Sequence, residues 1–160
     1  MQWTAFHLRD FLEELAQRTR AAKIHIEAHS MGNRALASAL QVISAKRRTG
    51  EKPLFQEIIL AAPDIGAETF DLFAREILPV AHRITLYASG NDDALLLSRF
   101  IHGGSRAGQK GKYLLIAPGV NTIDASAARK DFLGHGYVNT SSTILTDIHQ
   151  IFVTGAPPER

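Results

Sequence analysis

The chain has 160 residues, 45% hydrophobic and 21% charged, which is typical of one soluble domain, so we expect residues 1–160 to form a single domain. Eighteen basic and sixteen acidic side chains leave a formal net charge of +2, which does not suggest a nucleic-acid-binding surface. The absence of cysteine excludes disulfides, thiolate metal ligands and a cysteine nucleophile.

The first twenty residues predict an amphipathic helix, because Leu8, Phe11, Leu12 and Leu15 recur at the spacing of one helical face. This segment lacks the basic start and the uninterrupted apolar run of a signal peptide. No stretch of the chain reaches the roughly 18 apolar residues that a membrane span needs. We therefore expect no membrane span and, by default, a cytoplasmic protein.

Strand and helix patterns then alternate along the chain. Strands are predicted at "KIHIEA" (23–28), "FQEIILAA" (55–62) and "RITLYA" (83–88), and the short runs "YLLIA" and "VNTIDA" could each add one. Helices are predicted after each of the first three strands, and a last one in "TSSTILTDIHQIF". The alternation predicts an α/β three-layer sandwich, with a mainly parallel sheet of four or five strands between helices.

The pentapeptide "AHSMG" stands where the first predicted strand ends and a helix begins. Such a turn strains the serine backbone, and it requires small residues two positions before and after the serine, here Ala28 and Gly32. It would expose the hydroxyl of Ser30 and aim the amide of Met31 at a developing oxyanion. The competing structural explanation is that Ser30 is a helix N-cap.

A serine nucleophile needs a base, and the base needs an acid to orient it. His135 lies in a glycine-flanked loop, "FLGHGYVN", before the last predicted helix. The other histidines are interpreted as surface or packing residues (His7, His25, His29, His82, His102 and His149). Candidate acids follow the third strand, at Asp92 and Asp93, and the second, at Asp64, although aspartate also caps helices frequently. The chain order serine, aspartate, histidine is that of α/β-hydrolases.

Four motifs, "AHSMGN", "APDI", "SGNDDALLLSR" with its downstream "GGSRAG", and "GHGY", occur in this order over nearly the whole chain. Together they resemble the bacterial α/β-hydrolase esterases of uncharacterised function. The resemblance implies a serine hydrolase that cleaves a small-molecule carboxylic ester without metal or organic cofactor. It assigns Ser30 as nucleophile, Asp92 as acid and His135 as base, with Asp64 as the alternative acid.

Relative to that fold the sequence is short at its start, because only 29 residues precede Ser30. We therefore expect an N-terminally truncated domain that keeps the Met31 amide of the oxyanion hole but lacks its partner, so that activity is weak. The "KIHIEA" strand should then lie at an open edge of the sheet, through which copies of the chain could form a homo-oligomer.

Two alternatives belong to other functional classes. The chain could be a non-catalytic hydrolase remnant that acts as an interaction module. The glycine-rich "GGSRAGQKGK" (103–112) has the glycine spacing of a phosphate-binding loop, but it lacks the following Lys-Ser/Thr and comes after a helix. A flexible, solvated loop is the better interpretation of this segment.

Overall fold

The structure, a computed structural model, describes residues 2–110, 114–128 and 134–156. The strands are β1 (His25–His29), β2 (Phe55–Ala61), β3 (Ala81–Ala88) and β4 (Val120–Asp124). The helices are α1 (Gln2–Arg18), α2 (Gly32–Ala45), α3 (Ala67–Ile77), α4 (Asp93–His102), α5 (Tyr137–Thr140) and α6 (Ser142–Thr154), and the 3-10 turn Leu78–Val80 leads into β3. None of the described helices is both long and apolar enough to cross a bilayer.

The four strands form one sheet in the order β1-β2-β3-β4, and every pair is parallel. This confirms the predicted α/β class and the mainly parallel sheet. Among the described strands β1 pairs with β2 alone, so it lies at an edge, as expected from the short segment before Ser30. That a second copy of the chain pairs with this edge stays a prediction.

Apolar side chains are buried on both faces of the sheet, as a three-layer arrangement requires. Side chains alternate along a strand, so the neighbours Ile58 and Ile59 point to opposite faces. The face towards α1, α2 and α3 buries Leu12, Leu40, Ile58, Phe73 and Leu86. The face towards α5 and α6 buries Ile59, Tyr87, Tyr137, Ile144 and Ile148.

The prediction of a strand at "YLLIA" was wrong for its described part, residues 114–117, which form no regular element. Ile116 is exposed, and a turn at Pro118 and Gly119 follows immediately. Gly119 has a φ of +81°, and a side chain there would press into Leu78. The apolar run therefore ends in a turn before it can join the ladder, and β4 starts only at Val120.

The interpretation of the glycine-rich segment as a solvated loop was wrong for Arg106, Ala107 and Gly108, which are buried. Residues 103–105 are exposed, and residues 111–112 lie outside the described part of the chain. The backbone of the segment pairs with the loop after β2, where the Ala107 amide donates to the Ile65 carbonyl at 2.8 Å. It also pairs with the end of β3, where the Ser89 amide donates to the Gly108 carbonyl at 3.0 Å. The segment thus braces two of the loops at the carboxyl edge of the sheet.

The packing of the glycine-rich segment requires that Gly108 lie close to the backbone after β2, and this gives a first prediction. A Cβ at this position would lie 2.4 Å from the carbonyl carbon of Ala62 and 2.5 Å from the nitrogen of Pro63. We expect Gly108→Ala to lower the free energy of unfolding by about 3 kcal/mol, because backbone on both sides must move. Urea unfolding followed by circular dichroism measures this change.

Gly32→Ala is the matched control, since no described atom lies within 4 Å of a Cβ placed there. Its free energy of unfolding should be unchanged or slightly higher, because alanine favours the helix more than glycine does. Equal effects of the two substitutions would contradict the proposed role of Gly108.

Candidate active site

Ser30 follows β1 directly and adopts a strained backbone conformation, with a φ of +53°. A positive φ is uncommon outside glycine and costs on the order of 1–3 kcal/mol. Among the described non-glycine residues only Ala62, at the end of the neighbouring strand β2, shares this feature, with a φ of +44°. The chain therefore turns sharply from β1 into α2 at the serine itself.

The helix after the turn does not use Ser30 as its cap. Helix α2 begins at Gly32, its N-cap residue is Met31, and no side chain caps it by a hydrogen bond. The Ser30 carbonyl instead accepts the amide of Asn33 at 3.1 Å. Capping therefore does not account for the serine, and Met31 lies at the amino end of α2, where backbone amides favour negative charge.

A buried asparagine holds the turn in place. The side-chain amide of Asn33 donates to the carbonyls of Ala28, Ser30 and Ala61 at distances of 3.2, 3.0 and 3.1 Å. It therefore links β1, the turn and β2 through one group. The sequence reasoning missed Asn33, although a polar residue on the apolar side of α2, next to the buried Ala35 and Leu36, was a usable signal.

The turn pattern requires a small residue two positions after the serine, at Gly32, but close packing does not explain the glycine there. The open space around Gly32 shows that, among the described residues, strand and helix do not pass closely there. Asn33, with its three carbonyl partners, is the residue that fixes the geometry of the turn.

Asp92 is buried and uses its two carboxylate oxygens for two different purposes. Oδ1 accepts the amide of Leu95 at 2.9 Å and so caps α4. Oδ2 lies 2.7 Å from Nδ1 of His135. The next residue, Asp93, is exposed on the first turn of α4. One carboxylate therefore both caps α4 and contacts the imidazole of His135.

The loop that carries His135 is fitted closely to the end of β3. Gly134 has a φ of +63°, and a Cβ there would lie 2.0 Å from the carbonyl oxygen of Asn91, so only glycine fits. On the other side of His135, the buried Tyr137 donates its hydroxyl to the Tyr87 carbonyl at 3.1 Å. Burial, with the charge of Asp92, raises the pKa of Tyr137, which therefore stays a neutral donor. Both contacts hold the histidine near Asp92.

His135 also meets the serine turn, through a residue that sequence reasoning set aside. Nε2 of His29 lies 3.0 Å from the carbonyl oxygen of His135, and the two ring centroids are 4.7 Å apart at an angle of 49°. His29 directly precedes Ser30, so the base and the nucleophile candidates belong to the same cluster. Local pattern gave no signal for this contact, because the two histidines are 106 positions apart.

The alternative acid, Asp64, has other partners. Its carboxylate lies 2.7 Å from Nη2 of Arg34 and 3.2 Å from Nε of Arg106, and it accepts the hydroxyl of Ser98 at 2.7 Å. Burial would raise the pKa of Asp64, but the hydrogen bonds from Ser98 and Arg34 and the two positive charges lower it on balance. The position beside His135 is held by Asp92 instead.

No group of three or more histidine, aspartate or glutamate side chains within residues 2–110, 114–128 and 134–156 is arranged to hold a metal ion. The arrangement at this edge of the sheet is instead a hydrogen-bonded pair, Asp92 and His135, beside a strained serine turn. A carboxylate, an imidazole and a hydroxyl are the groups that nucleophilic acyl transfer uses.

Comparison with protein families gives a match. A family model described as "Alpha/beta hydrolase of unknown function (DUF900)" matches residues 1–153. No curated protein and no solved structure matches the chain.

The buried asparagine gives a second prediction. We expect Asn33→Asp to lower the free energy of unfolding by about 3 kcal/mol or more, because a carboxylate would face three carbonyl oxygens instead of donating to them. Asn33→Ala should cost about 2 kcal/mol, since it leaves those carbonyls without this donor. Urea unfolding at neutral pH measures both values.

Ser38→Ala serves as the control on the same helix. Ser38 is exposed, and its hydroxyl donates only within the helix, to the carbonyl of Arg34. Its removal should change the free energy of unfolding by less than about 0.5 kcal/mol. If Asn33→Asp proved as stable as this control, the hydrogen bonds of Asn33 would not be what holds the turn in place.

Proposed function

The chain belongs to a family of α/β hydrolases of unknown function, and we propose that it is a serine hydrolase that cleaves carboxylic esters of small molecules. Ser30 would be the nucleophile, His135 the general base and Asp92 the acid that orients the base. The observation that carries the proposal is the 2.7 Å contact between His135 Nδ1 and Asp92 Oδ2, beside a serine with a φ of +53°.

In the proposed reaction, the contact with Asp92 would leave Nε2 of His135 as the nitrogen for proton transfer. An ionised carboxylate only accepts, so Nδ1 carries the proton in this pair, and the neutral ring has its lone pair on Nε2. Nε2 would take the proton from the Ser30 hydroxyl while the oxygen attacks the ester carbonyl carbon. The resulting imidazolium would be stabilised by the buried negative charge of Asp92.

The attack would form a tetrahedral intermediate, which would collapse when His135 returns the proton. His135 Nε2–H protonates the leaving alkoxide as the ester C–O bond breaks, which releases the alcohol and leaves an acyl ester on Ser30. A water molecule, deprotonated by the same nitrogen, then attacks the acyl carbon. The carboxylic acid leaves, the serine recovers its proton, and the cycle consumes one water and needs no other reactant.

Oxyanion stabilisation would limit the rate. We assign the Met31 amide, at the amino end of α2, as a donor to the oxyanion, and among the described residues we assign no second one. Loss of a single donor costs about 2.7–4 kcal/mol of transition-state stabilisation in acyl transfer. We therefore propose an enzyme whose serine reacts readily but whose turnover of esters is slow.

The role of Asp92 gives a third prediction, in which its two functions separate. Asn is as good an N-cap as Asp, so Asp92→Asn should keep α4 and the fold nearly as stable as before. The amide cannot hold an imidazolium as the carboxylate does, so labelling of Ser30 by a fluorophosphonate should slow on the order of a thousandfold. Intact-mass measurement over time gives the rate.

Asp93→Asn is the matched control, because it removes the same charge one residue further on, from an exposed side chain. Its labelling rate should stay within about twofold of the unmodified protein, since exposed charges contribute little. Equal rates for the two variants would refute the assignment of Asp92 as the acid.

The nucleophile gives a fourth prediction. The chain should gain the mass of one fluorophosphonate adduct, and Ser30→Ala should gain none, because the reagent needs the activated hydroxyl. Hydrolysis of short p-nitrophenyl esters should be slow or absent, given the single assigned oxyanion donor. Rapid turnover would show a second donor, and the absence of any adduct would favour the non-catalytic alternative.

A further inference from the structure

His29 is a half-buried histidine that takes no part in the proposed reaction. It is nevertheless next to the two residues central to that reaction, Ser30 and His135. It is bonded along the chain to Ser30, and its Nε2 lies 3.0 Å from the carbonyl oxygen of His135. Its ring also lies against the ring of His135, with centroids 4.7 Å apart. This pairing joins the last residue of β1 to a loop more than one hundred positions later.

The chemistry of the pair determines the direction of the hydrogen bond. A carbonyl oxygen has no proton to give, so Nε2 of His29 must carry the proton and donate it. The bond therefore exists when His29 is the neutral Nε2–H tautomer or the imidazolium, and it is lost in the neutral Nδ1–H tautomer. The proton on Nε2 of His29 thus links the end of β1 to the loop that carries His135.

The acceptor of this hydrogen bond is the backbone carbonyl of His135, the residue whose ring would act as the base. Residues 134–136 lie outside the described helices and strands, and the Gly136 carbonyl accepts the amides of Asn139 and Thr140 at the start of α5. A donor on the His135 carbonyl fixes the orientation of that peptide, whereas Asp92 orients only the ring. A displacement of about 1 Å in such a group can cost a hundredfold in rate.

We propose that His29 is a positioning residue, which donates its Nε2–H to the His135 carbonyl and so fixes the base against the strand end that carries the nucleophile. The inference rests on the proposed function. It names the residue that keeps the base, His135, in position relative to the nucleophile, Ser30. Because His29 and Ser30 are adjacent in the chain, the donor belongs to the strand end that carries the proposed nucleophile.

Simple ring packing is the competing explanation, and side-chain replacements separate the two. His29→Phe keeps an aromatic ring against His135 but has no donor, whereas His29→Gln keeps an N–H donor at a similar reach and has no ring. Positioning by the hydrogen bond requires that Gln substitutes for His and that Phe does not. His29→Leu is a second variant without a donor, for use if the Phe variant does not fold.

The first measurement is the rate of fluorophosphonate labelling by intact mass. We expect His29→Phe and His29→Leu to slow labelling roughly tenfold to a hundredfold, and His29→Gln to stay within about threefold of the unmodified protein. His25→Phe is the control on the same strand face, where His25 packs on Phe152, and it should label at the unmodified rate. Phe labelling as fast as Gln, or Gln as slow as Phe, would overturn the proposal.

The second measurement does not require the chain to be an enzyme. The proton on Nδ1 of His135, held by Asp92, should give a downfield signal in the NMR spectrum, identified by its absence in His135→Gln. We expect this signal in the unmodified protein and in His29→Gln, and its broadening or loss in His29→Phe and His29→Leu. Nitrogen chemical shifts should show the proton of His29 on Nε2.

Together the two measurements separate the failure of this inference from that of the proposed function. If the unmodified protein takes no label but the NMR signal follows the pattern given above, the serine-hydrolase proposal fails and the positioning contact stands. If the unmodified protein is labelled and the signal is the same in all variants, the proposed function stands and the positioning role of His29 is refuted.

Discussion

The four strands within the described part of the chain run in the same direction, and this one constraint brings the loops of the candidate site to the same edge of the sheet. Parallel strands end together, so the residues after β1, β2 and β3 become neighbours although the chain separates them widely. Ser30, Asp64 and Asp92 each follow one of these strand ends. The remaining contacts of the site determine which of the side chains at this edge of the sheet lie against one another.

Side-chain donors that bind backbone carbonyls are one means by which the loops at this edge fit together. Asn33 binds three of them, His29 binds the carbonyl of His135, and Tyr137 binds that of Tyr87. A loop cannot satisfy its own polar groups through a regular ladder, so a buried loop needs donors from elsewhere. In this protein the donors are the side chains that lie around the proposed nucleophile and base.

Close backbone approach is the second means of fitting the loops. Gly108 and Gly134 each lie where a Cβ would contact neighbouring backbone closer than 2.5 Å. The first lets the segment after α4 pack on the ends of β2 and β3, and the second lets the His135 loop pack on Asn91. Gly32, which the motif alone would rank with them, has open space around it within the described structure. The role of a glycine therefore follows from what lies opposite it.

The sequence by itself determined the order of strands and helices and the place of Ser30 at a strand end. These features depend on local periodicity, and each residue carries that information for its own neighbourhood. The burial of Arg106–Gly108 and the irregular backbone of residues 114–117 escaped the same reasoning, because loop composition does not reveal what a loop packs against.

From the residues themselves the partner of the imidazole stayed open among three aspartates, although the family resemblance named Asp92. Only the tertiary structure shows which carboxylate faces the imidazole. Asp64, Asp92 and Asp93 all follow strand ends, and composition makes each of them an equally good cap. In the fold, arginines surround Asp64, Asp93 faces solvent, and Asp92 meets His135. The contact between His29 and His135 was equally hidden. Such partners are fixed by distances across the sheet, and no local pattern in the chain carries those distances.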